Sequence, residues 1–140
     1  MRQTWRALVV GMILCLLSGL PSSARTPHAM LVSHSRPNAG IVAGQSEFDR
    51  LIAAELQRYF VALTGATFEI VSSEDARRRP SSPVWVLVGG PQTNDSTSEA
   101  TINRRVDFDK LKADGFILRT VQLEGRHALI VGGIEDAATM

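Results

Sequence analysis

One stretch of the chain repeats its apolar residues at helical spacing, and the rest is organised around it. Within residues 46–65 (SEFDRLIAAELQRYFVALTG), Phe48, Leu51, Ile52, Leu56, Tyr59, Phe60 and Leu63 keep returning to one side of a 3.6-residue period. Ser46 stands where an N-cap hydroxyl accepts from the first free amides, and Asp49 three residues on completes a capping-box pattern. Gly65 stands where the chain leaves a helix with positive φ, and no Pro interrupts the run. Such a helix is about 27 Å long, enough to cross a small sheet. Asp49, Arg50, Gln57 and Arg58 are expected on the opposite, wet side. The stripe reads as core packing rather than as a cofactor face.

Several runs have strand character. Residues 29–33 (AMLVS) and 40–43 (GIVA) flank the turn-forming pair Pro37-Asn38, which predicts a hairpin leading into the helix. Residues 67–71 alternate, with Phe68 and Ile70 on one side. Residues 84–88 (VWVLV) are apolar on both faces, which suits the middle of a sheet covered on both sides. Residues 116–121 and 127–131 form two more strands, and Gly125 in their linker suits a tight hairpin. Residues 72–83 read as a solvated loop and residues 91–103 as a long polar one. Residues 106–113 read as a short helix burying Phe108 and Leu111.

The two ends read differently. Arg2 and Arg6, the apolar residues 7–17 and the small residues Ser22-Ser23-Ala24 have the layout of a secretory signal peptide over residues 1–24, followed by a linker, 25–28. The apolar run is short for a membrane span, so membrane attachment is the alternative only if it is left uncleaved. Leu14 before Cys15 argues against a lipid anchor. Cleavage after Ala24 takes Arg2 and Arg6 from the 15 basic residues against 14 acidic ones, so the net charge goes from +1 to −1. It also removes the only Cys, leaving no thiol for a disulfide or a metal. A secreted or periplasmic domain is expected, and the near-neutral charge gives no reason to expect nucleic acid. Residues 132–140 read as a strand-to-helix junction with Asp136 as N-cap, cut short before the helix gains its turns. The expectation is that the 140 residues are a fragment.

The search for chemistry returns no catalytic, cofactor or metal residues. His28, His34 and His127 have no second ligand at metal spacing. The carboxylate pairs Glu74-Asp75, Asp107 with Asp109, and Glu135-Asp136 sit in loops or helix starts and read as solvated or capping groups. Arg77-Arg78-Arg79 lacks the aromatic neighbours of a nucleic-acid site. Gly89-Gly90 follows a buried strand but belongs to no phosphate-binding fingerprint. Trp85, Tyr59, Phe60 and Phe68, the aromatics a sugar platform would use, all fall at expected core positions.

In order along the chain, Ala39-Gly40-Ile41-Val42, the helix piece Ala53-Ala54-Glu55-Leu56-Gln57-Arg58-Tyr59-Phe60, Leu63-Thr64-Gly65-Ala66 and Ile70-Val71 form a recognisable pattern. Val86-Leu87-Val88-Gly89, Asp114-Gly115-Phe116 and Leu129-Ile130-Val131-Gly132-Gly133 extend it. Over residues 29–140 the chain resembles the non-catalytic N-terminal α/β domain that precedes the barrel in bacterial α-glucuronidases and β-N-acetylhexosaminidases. The resemblance implies an α+β fold, a small mixed sheet packed against one long helix with a second helix starting near Asp136. It also implies that catalysis belongs to a following (β/α)8 barrel, the partner of this domain in one polypeptide acting on polysaccharide. It transfers no catalytic residue to this sequence and implies no cofactor.

Overall fold

The computed structural model describes residues 28–78 and 82–134; the signal-peptide reading and the helix start at Asp136 lie outside them. Five strands form the main sheet: β3 (Ala39–Ala43), β4 (Ile70–Ser72), β5 (Val84–Val88), β6 (Phe116–Leu123) and β7 (Arg126–Gly133). Their order is β4-β3-β5-β7-β6; the first four run parallel and β6 is antiparallel to β7. A small mixed sheet packed against one long helix, an α+β fold, is thus what forms.

The long helix, α1 (Glu47–Thr64), starts and stops where its capping residues require. Ser46 Oγ accepts from Asp49 N at 3.0 Å, and Gly65, at φ 70°, donates its amide to Val61 O. Its buried stripe is narrower than expected. Ala53 is buried, while Ile52, Leu56 and Phe60 are half-buried against the sheet and Phe60 meets the ring of Phe68 at 4.8 Å. Leu51, Tyr59 and Leu63 face outward, Tyr59 64% and Leu63 81% exposed. Asp49 is not wet as expected: it follows the i, i+4, i+7 spacing of Ala53 and Leu56 and is 1% exposed. Gln57 also turns inward and donates to Phe68 O.

Four local readings are corrected. Residues 29–33 do not pair with residues 40–43. A separate two-stranded ribbon, β1 (Val32–Ser33) with β2 (Arg36–Pro37), turns at His34 and Ser35, both at positive φ, and β3 joins the main sheet instead. The stretches read as polar loops hold two helices, α2 (Ser73–Arg78) and α3 (Asp95–Ile102). Residues 106–113 are turns rather than a helix, although Val106 and Phe108 are buried and Leu111 packs beside them. The strand expected over residues 67–71 begins only at Ile70.

Alternation along the inner strands builds two cores. Val42, Trp85, Leu87, Ala128 and Ile130 face α2, α3 and Phe108. Ile41, Val84, Val86 and Val88 face α1 and Phe68. Strand β5 is therefore covered on both sides, as its all-apolar sequence predicts. The α1 side is covered only in part, because α1 packs chiefly on β3, β4 and β5. Over the other half Leu118 stands opposite Val131 on the same face, and Phe116 and Leu118 are 65% and 64% exposed.

Candidate functional site

The sheet order changes direction at one place. From β3 the chain goes through α1 to β4 on one side, then through α2 to β5 on the other side of β3. In open α/β sheets the crevice at the carboxyl ends of two such strands is where ligands bind. Here that crevice lies after Ala43 and Val88, and side chains of the chain itself line it.

Asn94 organises it. As N-cap of α3 its Oδ1 accepts from Ser96 N and Thr97 N, and from Ser73 Oγ of α2. Its Nδ2 donates to Val42 O at 3.0 Å and to Val88 O at 2.9 Å. One buried amide thus ties β3, β5, α2 and α3 together with every bond used. Beside it lie Asp49 from α1 and Thr93 from the β5–α3 loop. Both carboxylate oxygens of Asp49, and the hydroxyls of Thr93, Ser96 and Thr97, are buried without a hydrogen-bond partner.

The glycine pairs have a packing reason rather than a phosphate. A side chain on Gly132 would meet Gly89 O at 2.5 Å, and one on Gly90 would collide with Gly133 O. The ends of β5 and β7 touch main chain to main chain, and Gly89 also takes φ 115°.

A cleft of about 560 Å³ opens between the ends of β3 and β4, lined by Gly44, Arg50, Glu69, Ser72 and Asp75 among others. Arg50 donates to Gln45 O and Ser46 O, and Asp75 accepts from Ser72 Oγ. This places a guanidinium and carboxylates around one hollow, a set suited to holding a polar molecule.

The other sequence candidates disperse. Glu74 pairs with Arg78, and Asp107 with Lys110. The hydrogen bond from Lys110, aided by the Asp109 amide, holds the Asp107 carboxyl below its ordinary range. Arg77 bridges Glu99 at 2.9 Å and Glu124 at 3.1 Å. Partial burial works to lower its pKa, but the hydrogen bonds to Glu124 and Glu99 outweigh this and raise it. Arg77 and Arg78 are thus engaged with carboxylates, while Arg79 and the pair Glu135-Asp136 lie outside the described residues. His28 and His34 are exposed and His127 is the second residue of β7, so the three are not brought together. Among the described residues no three His, Cys, Asp or Glu cluster as a metal site.

An open, mostly parallel sheet with helices on both faces defines an α+β domain. The comparison with known families gives it a place: the chain matches the glycosyl hydrolase family 67 N-terminus over residues 24–140 and belongs to that family. No curated protein is significantly similar in sequence.

Proposed function

We propose that this domain is the non-catalytic N-terminal module of an exported glycoside hydrolase of the α-glucuronidase type. In this reading it packs against a catalytic (β/α)8 barrel of the same polypeptide and serves polysaccharide breakdown, and the 140 residues are one part of that polypeptide. The family match over residues 24–140 carries the reading. The engagement of Glu74, Asp75 and Asp107 in capping and surface ion pairs supports it, because hydrolysis of a glycosidic bond calls for two carboxyls across a cleft. Export rests on the basic and apolar opening, which lies almost wholly before the matched residues. The hexosaminidase type remains the alternative parent.

The test is the coding sequence past Met140 and the activity of its product. A polypeptide extended through a barrel releases glucuronic acid from glucuronoxylan fragments, and the 140-residue chain releases none. A stop codon with no barrel-length coding region downstream defeats the proposal. A second reading, direct sugar binding, draws on Tyr59, which the structure exposes, and on the hollow beside Glu55 and Arg58. Calorimetric titration with xylan and chitin oligomers decides it; no heat at millimolar ligand removes it.

A further inference from the structure

The structure assigns to Asp49 and Thr93 a binding site for a small hard cation at the carboxyl ends of β3 and β5, and we propose sodium as its occupant. The starting point is an accounting of donors. Asp49 is buried, and neither carboxylate oxygen has a hydrogen-bond partner. The amides around it are engaged elsewhere: Gly44 with Val88 O, Gln45 with Thr93 O, Gly89 with Val131 O, and Thr93 and Asn94 with Gly90 O. The Asn94 side chain is spent on Val42 O and Val88 O. Arg50, next in sequence, turns its guanidinium to Ser46 O and Gln45 O.

What faces the carboxylate is oxygen. Asp49 Oδ2 and Thr93 Oγ1 lie 2.8 and 2.9 Å from the point where a side chain on Gly89 would begin, and Thr93 Oγ1 is itself without a partner. A side chain on Gly44 would collide with Asp49 Oδ2 and would begin 3.0 Å from Thr93 O. The two glycines thus let a carboxylate, a hydroxyl and a carbonyl approach the same stretch of backbone, where a side chain on either glycine would displace them. A carboxylate cut off from water is costly unless a positive charge answers it. Oxygen-only ligands select hard cations over transition metals. One carboxylate balances one charge, whereas a calcium ion takes about six to eight oxygen ligands, more than this site offers. Bound there, the ion ties the first turn of α1 to the β5–α3 loop across the crevice.

The experiment is thermal unfolding of the 140-residue chain in sodium, potassium and choline chloride at one ionic strength. The midpoint is expected to be highest in sodium chloride and to saturate with its concentration. Asp49→Asn, similar in shape but uncharged, makes the three salts equivalent. Should that variant not fold, Thr93→Val raises the sodium concentration for half the effect several-fold. Equal midpoints of the unsubstituted chain in all three salts, or a sodium effect that survives both substitutions, overturn the assignment. Equality would mean that a buried water completes the site instead.

Discussion

The two faces of the sheet were built by different means. On one, a single long helix with a regular apolar stripe covers β3, β4 and β5 and leaves β6 and β7 partly bare. On the other, two short helices and a series of turns, none with a helical stripe of its own, seal the surface with Ala76, Ala100, Val106 and Phe108. The strong periodic signal made the less complete layer. Coverage is set by where caps and turns place a few apolar residues, not by how amphipathic any one segment is.

That contrast can be broken most sharply at Phe108. Phe108→Ala on the sealed face is expected to cost about 3–5 kcal/mol, read as a shift of the urea midpoint. Leu118→Ala on the bare face stays within about 0.5 kcal/mol. Similar costs at the two positions would erase the distinction.

The next effect in size is at Asn94. Asn94→Ala removes the side-chain donor to Val42 O and Val88 O and uncaps α3, at a cost of about 2–3 kcal/mol. Loss of hydrogen-exchange protection in both α2 and α3 is the accompanying sign.

The bare half itself is read by dye binding. The 140-residue chain binds an apolar-surface dye such as ANS, and Phe116→Ser with Leu118→Ser lowers the signal without moving the urea midpoint by more than about 0.5 kcal/mol. A polypeptide extended by about 15 residues past Met140, one ordinary helix, is expected to bind less dye and to be more soluble. Equal behaviour of the two lengths counts against a covering segment there.

At the rim the effects become small. Arg77→Ala removes two ion pairs that are one-third exposed, worth about 0.5 kcal/mol or less after screening. The loss shrinks further in 1 M salt, where the Debye length is about 3 Å. The raised pKa of Arg77 makes its contribution fully present below its ordinary value and lost only at strongly alkaline pH, so neutral titration leaves it unchanged. Asp107 has the opposite sign. Its carboxyl is held low, so its contribution is present above the ordinary value of 3.8 and is lost as pH falls through the folded-state value. Asp107→Asn removes that portion of the acid dependence, seen as a slightly flatter stability curve below pH 4.

The caps of α1, the all-apolar β5 and the Glu124–Gly125 turn were legible because each rests on local chemistry. Helix α2 carries a local signal: Ser72 and Asp75 stand at capping-box spacing, and Ser72 Oγ accepts from Asp75 N while donating to Asp75 Oδ2. Asp49 shares the spacing of Ala53 and Leu56, and its position rather than its charge decides its burial. Helix α3 was not legible. Its sequence, DSTSEATI, buries Ser96 and Thr97 beside Ala100 and has no apolar stripe, and its start is fixed to the sheet by the bonds of Asn94 to two distant strands. The cation site depends on Gly44, Asp49, Gly89 and Thr93 meeting across the sheet, which spacing along the chain does not reveal.

Strands β3 and β7 point the same way, with β5 between them. Within the described residues the main sheet is therefore entered at the amino end of β3 and left at the carboxyl end of β7, on opposite rims.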